Sequence, residues 1–225
     1  MLIDAHIHSK GISLCSRLSY REMLDQCAED SVDGIVLTNH LKENYIGKEP
    51  YSAWKERYVE EYNAAREYGA SIGVTVLFGV EVTLSINPVV DYALYGIDEQ
   101  EFLHSPVLYA LSQRELFTYC TDRSALLIQA HPYRNGAVPQ DPRYLHGVEI
   151  NCHPLYKTNE QTRVTAFARK HGLLLTCGSD YHGDTYKPHC GVEIPGGISS
   201  SEQFADCLRS NHYSLVVEPL EHDLP

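Results

Sequence analysis

The 225-residue sequence predicts a single α/β domain built on a largely parallel, barrel-like sheet. Three observations carry this. Short apolar runs alternate with stretches of helical periodicity, the pattern of successive βαβ units. Several runs are nearly continuously apolar, as strands covered on both faces are. Most of the runs end in His, Glu or Asp, and in a parallel α/β barrel the functional groups sit at the C-terminal strand ends.

The first strand is expected over 2–7, ending in His6-Ile7-His8. Alternate side chains of a strand share a face, so His6 and His8 project together, and Asp4 on the same face is placed to orient a ligand imidazole. Ser19 caps a helix over 19–30, with Glu22 at capping-box spacing. A strand over 34–39 runs into His40. The helix over 51–68 is marked by Tyr51, Trp54, Tyr58, Tyr62 and Ala65, with Gly69 as its stop. Strands follow at 73–81, ending in Glu81, and at 91–96, starting at Asp91. After a helix at 112–123, a strand over 125–130 ends at His131. The strand over 147–151 leads to His153, and helix 158–171 leads to strand 173–178 and the segment Ser179-Asp180-Tyr181-His182. A helix at 200–210 and a strand at 213–217 complete the pattern. No repeat, low-complexity segment or linker interrupts it, so one domain over 1–225 is expected.

A net charge of -12 argues against broad binding to nucleic acid or anionic membranes through a basic surface. No stretch reaches the roughly 20 apolar residues that span a bilayer, and no signal-peptide pattern opens the chain. The seven cysteines are scattered without a CxxC pair, which fits inert thiols in a reducing cytoplasm. The expectation is a cytoplasmic protein with neither a membrane partner nor a stable nucleic-acid complex. Its oligomeric state is not legible.

Neutral imidazoles and carboxylates converging at one rim suit transition metals. The strand-end set is His6, His8, His40, Glu81, His131, Asp180 and His182. That exceeds the about four ligands of a single zinc, so two or three divalent ions (Zn, Mn or Fe) are expected. Asp180 and His182 repeat the alternate-residue spacing of His6 and His8. Arg134 and Arg17, and more weakly Lys10, lie near these segments and are candidate phosphate-binding side chains, since a guanidinium pairs with phosphate through two hydrogen bonds.

Asp4-Ala5-His6-Ile7-His8-Ser9, Thr38-Asn39-His40, Gly79-Val80-Glu81, Ala130-His131-Pro132 and Gly178-Ser179-Asp180-Tyr181-His182 resemble, in order, the motifs of the PHP (polymerase and histidinol phosphatase) family. The resemblance runs from residue 2 to about 195. It implies a distorted (β/α)7 TIM-like barrel and a hydrolase that cleaves phosphoesters of a small metabolite or nucleotide with metal-activated hydroxide. It also implies that His6, His8, Glu81 and Asp180 hold one metal, that Glu81 bridges to a second held by His131, and that His40 and His182 hold a third. Glu81 at the centre and His153 as leaving-group acid are the candidate catalytic residues.

Three positions depart from the family pattern. Asp91 stands where many relatives have a histidine on the second metal. Ser13 stands where relatives often carry an Asp or His on the third, with Cys15 nearby as a possible thiolate ligand. Asn39 replaces the usual aspartate. Two other readings remain open at this level: an amidohydrolase-like metal hydrolase, whose barrels also begin with HxH, and a non-catalytic metal-holding domain.

Overall fold

The computed structural model describes residues 1–153, 161–183 and 189–217. Its elements are β1 (Leu2–Ile7), α1 (Tyr20–Glu29), β2 (Gly34–Leu37), β3 (His40–Leu41), α2 (Glu43–Ile46), α3 (Tyr51–Ile72), β4 (Thr75–Thr83), β5 (Asp91–Tyr95), α4 (Glu99–Leu103) and α5 (Gln113–Thr121). These are followed by β6 (Leu126–Gln129), β7 (Gly147–Asn151), α6 (Gln161–His171), β8 (Leu174–Gly178), β9 (Gly191–Glu193), α7 (Ser201–Arg209) and β10 (Ser214–Val216). Residues 158–160 of the expected helix lie outside the described residues; from Gln161 onward it is helical.

Seven strands run in the order β1-β2-β4-β5-β6-β7-β8 and curl into a nearly closed barrel. Closure comes where β1 meets the segment after β8. Ile7 bridges Tyr181 in parallel, and the Asp180 amide donates to the His6 carbonyl at 2.8 Å. Glycine is required there, because a Cβ on Gly178 would lie 2.4 Å from the His6 Cβ. The barrel is therefore the distorted, seven-stranded α/β form that the motifs imply.

The sheet departs from a purely parallel one. β5 is antiparallel to both β4 and β6. Its first residue, Asp91, therefore lies at the same rim as the C-terminal ends of the parallel strands. β9 and β10, both antiparallel, extend the sheet beyond β1. β9 is too short to leave a periodic signal; the strand expected over 34–39 ends at Leu37, and a separate two-residue β3 beyond it pairs with β4.

β1 carries a bulge. Asp4 pairs with Ile35 but Ile7 with Leu37, so three steps on β1 face two on β2. The bulge shifts the side-chain alternation by one. Ile3 and Ala5 join the barrel-interior cluster with Val36, Leu77 and Tyr95, while Ile7 packs outward among the helix-facing residues. Phe204, Ala205 and Leu208 of α7 plug the interior end opposite the rim.

Local signals explain the helices. α1 has the expected box: Ser19 accepts from the Glu22 amide and Glu22 reaches back to Ser19. α3 runs four residues past the expected end, to Ile72. Gly69 does not stop it; this glycine lets the helix approach β4, since a Cβ there would lie 2.6 Å from the Val74 carbonyl oxygen. Gly73, left-handed at φ 82°, ends the helix. Trp54 and Tyr58 are buried on the sheet, and the Tyr58 hydroxyl lies 2.9 Å from the Asn39 carbonyl oxygen and 2.8 Å from that of Gly79. This one side chain therefore ties the link between β2 and β3 to the middle of β4.

Candidate metal centre

At the rim, β1 and the bulge bring His6 and His8 side by side, with their Nε2 atoms 3.0 Å apart. Glu81, on β4 and fully buried, stands between the histidines. Its Oε1 lies 3.3 Å from His6 Nε2 and 3.0 Å from His131 Nε2, and its Oε2 lies 3.5 Å from His8 Nε2 and also against His40 Nδ1. Asp180 Oδ1 lies 3.0 Å from His8 Nε2 and 3.3 Å from His6 Nε2. Three triads with mutually close ligand atoms result: His6–Glu81–His131, His6–His8–Asp180 and His8–His40–His182.

The proton positions are fixed by the surroundings. Asn39 Oδ1 accepts from the Ser9 amide at 2.8 Å and from the Ser13 hydroxyl at 2.9 Å. Ser13 Oγ accepts from the His40 amide at 3.0 Å, so its remaining contact, 3.1 Å from His8 Nδ1, must be donated by the imidazole. His8 therefore presents a bare Nε2 lone pair to the cluster. His6 Nδ1 donates to Glu149 Oε1 at 2.7 Å. Two lone-pair nitrogens and several carboxylate oxygens then face one another within about 3 Å, an arrangement that repels itself unless a cation or proton lies between them. The buried His40 Nδ1, Glu81 Oε2 and Asp180 Oδ1 make close contacts within the cluster but no well-aligned hydrogen bond. The donor set fits divalent metal ions.

Without such ions, protons fill part of the gap. Burial opposes charge on His6, yet Glu149, Glu81 and Asp180 hold its pKa well above the usual value. Burial likewise opposes charge on His40, but Glu81 and Cys15 raise it to about 9. Burial, then His182 and His40, push His8 well below. Burial would raise Glu81 and Asp180, but His40 and His6 hold the Glu81 carboxyl, and Arg134 and His6 that of Asp180, well below the carboxylate range.

The other candidates fall into two groups. Asp91, His153, Arg134 and Cys15 line the cleft above the cluster, together with His40, His131, Asp180 and His182. Asp91 Oδ2 is 3.8 Å from His131 Nε2, and its other oxygen takes the Thr83 hydroxyl. Arg134 pairs with Asp180. Desolvation raises the Cys15 thiol, but hydrogen bonds to His182 and His40 bring it to about 5. Lys10 and Arg17 are exposed and do not line the cleft. Lys42 and Tyr45, which sequence reasoning passed over, do line it, and Lys42 Nζ is 3.6 Å from Asp91.

Two orienting roles differ from expectation. The β1 bulge takes Asp4 off the face of His6; its carboxylate accepts from the backbone amides of His6 and Ser179 and from the Ser179 hydroxyl. Glu149 holds the His6 ring instead, and also accepts from the His131 amide at 3.0 Å. Its one sequence signal was a charged residue at an inward position of a buried strand. Ser13 is a support for His8 rather than a ligand. The backbone is strained where it delivers the ligands: His131 (φ 30°) and Asp180 (φ 52°) are left-handed, as are Tyr133 and Asn135. Such residues cost of order 1–3 kcal/mol each and cluster at functional sites.

No family model matches the sequence. A probable histidinol-phosphatase from Clostridium acetobutylicum is 26% identical over 145 residues, 59% of this chain and 54% of that protein. The chain thus spans about half the length of this curated relative. In structure it resembles a two-domain protein from Bacteroides vulgatus containing a predicted PHP-like metal-dependent phosphoesterase. The TM-score is 0.70 at 16% identity, over 97% of this chain and 65% of that one. An amidohydrolase from Chromobacterium violaceum, solved with bound sulfate, aligns with a TM-score of 0.59 at 15% identity, over 96% of this chain and 98% of that one. These likenesses show the fold: the chain shares the distorted barrel of these proteins. Among its structural neighbours is the PHP-like phosphoesterase whose motifs the sequence resembles.

Proposed function

We propose that this chain is a metal-dependent phosphoesterase acting on a small phosphorylated metabolite or a nucleotide end. The convergence of imidazole nitrogens and carboxylates around Glu81, at the floor of an open cleft of about 440 Å³, carries the reading. Divalent ions bound there would supply an activated water and neutralise charge on phosphoryl oxygens. His6, His8, Glu81 and Asp180 would hold one ion, with Glu81 shared toward His131 and Asp91, and His40, His182 and Cys15 grouped at a third position.

The chain's own residues do the rest. Arg134 and Lys42, both facing the cleft, orient a tetrahedral oxyanion and offset its charge. Arg134 is paired with Asp180 beside the cleft. His153, which also lines the cleft, would give a proton to the leaving oxygen. The open cleft mouth leaves the non-phosphate part of the substrate to the surrounding loops.

The test is hydrolysis of p-nitrophenyl phosphate and a p-nitrophenyl phosphodiester with added Mn or Zn. Metal-dependent turnover that drops to background in His6→Ala and Asp180→Ala is expected; turnover retained by both variants refutes the reading. A second reading, amide hydrolysis, is favoured by the fold shared with the amidohydrolase neighbour. Parallel assays on amide substrates decide between the two.

A further inference from the structure

Three cysteines far apart in sequence meet on the side of the sheet away from the barrel interior. Ile150 of β7 pairs with Cys177 of β8, and the Cys152 amide donates to the Gly178 carbonyl, so Cys152 falls one step further along the same face as Cys177. Cys190 precedes β9. Their sulfurs all lie within 4.8 Å of one another, and those of Cys152 and Cys177 are 3.6 Å apart. Cys177 and Cys190 are fully buried and Cys152 is half-buried. The three thiols take no part in the rim cluster, because Thr176 and Gly178 face the interior where Cys177 faces out.

The spacing distinguishes the chemistries open to three thiols. A disulfide needs about 2.05 Å between sulfurs. A tetrahedral centre with metal–sulfur bonds of about 2.3 Å separates neighbouring sulfurs by about 3.8 Å. The 3.6 Å between the Cys152 and Cys177 sulfurs is close to the second, and the Cys190 sulfur lies within 4.8 Å of both. Thiolates also select soft or borderline ions over the hard ones that carboxylates prefer.

We propose that Cys152, Cys177 and Cys190 form a trithiolate site for one zinc-class ion, with a water or small ligand in the fourth position. The site joins the end of β7, the middle of β8 and the start of β9. It therefore braces the strands that deliver His153 and Asp180 to the rim. Hydrogen bonding with Cys152, and burial, hold the Cys177 and Cys190 thiols protonated well above the usual range. Loading the ion replaces three S–H bonds by three S–metal bonds and releases three protons, so affinity rises with pH.

The experiment is a Cd(II) titration of the full chain carrying Cys15→Ser, followed by thiolate-to-metal charge-transfer absorption. One equivalent should give the band, with intensity for three thiolates. The band should survive His6→Ala and fall in Cys177→Ser and Cys190→Ser. Cys152→Ser, at a half-buried position, keeps the test valid if the buried variants misfold, and should lose about a third of the intensity. X-ray absorption of the zinc form should show three sulfurs at about 2.3 Å. Absence of the band, a full band in Cys152→Ser, or two of the three thiols already oxidised to a disulfide in the isolated protein would each overturn the proposal.

Discussion

His8 shows how much of the site is set by neutral neighbours. Its ligand nitrogen is bare because Ser13 takes the proton side, and Ser13 can do so because Asn39 accepts its hydroxyl. The ligands themselves were legible, since each ends an apolar run in a residue type that such runs rarely carry. Their supports were not, because Ser13, Asn39 and Glu149 act through contacts made across the barrel. Glu149→Gln removes the charge behind His6 while keeping the shape; a drop of about 10–100-fold in metal affinity is expected, measured by competition with a chromophoric chelator. The pH dependence follows from His40. Its proton, held up to about 9 in the metal-free chain, competes with metal, so affinity should climb as pH rises from 6.5 toward about 9 and then level. An affinity flat over that window, read by the same competition, would contradict the proton-for-metal exchange. The same proton stabilises the metal-free fold fully below pH 6.5, and that contribution is lost as pH rises through about 9.

At the level of elements, alternation gave strand positions well and orientation poorly. The reversed direction of β5 leaves no mark in its composition, yet it decides that a strand's first residue, Asp91, reaches the rim. The bulge in β1 is equally silent, and it separates Asp4 from His6. Helix ends followed local chemistry where a capping box was present and failed at Gly69, whose role is set by close packing on Val74. The junction of β1 with β8 depends on one absent side chain. Gly178→Ala would drive a methyl into His6, so a loss of about 1–3 kcal/mol in urea unfolding is expected, together with a reduction in metal binding. A variant as stable and as metal-competent as the parent would show that the closure tolerates displacement.

For the whole molecule, the barrel collects residues spread from His6 to His182 at one end and leaves α7 to fill the other. Order of motifs was enough to infer that gathering, because parallel strands put their C-terminal ends together whatever their spacing in sequence. The cysteine triad was invisible to the same reasoning: Cys152, Cys177 and Cys190 share no motif and meet only when β7, β8 and β9 are folded beside one another. The central claim is that the rim holds cations shared through Glu81. Anomalous scattering at the metal edges, from crystals of protein purified without chelator, tests it directly. At least two peaks within the cluster, one between His6, His8, Glu81 and Asp180 and another beside His131, are predicted; fewer than two there, with any metal confined to the cysteines, would contradict it.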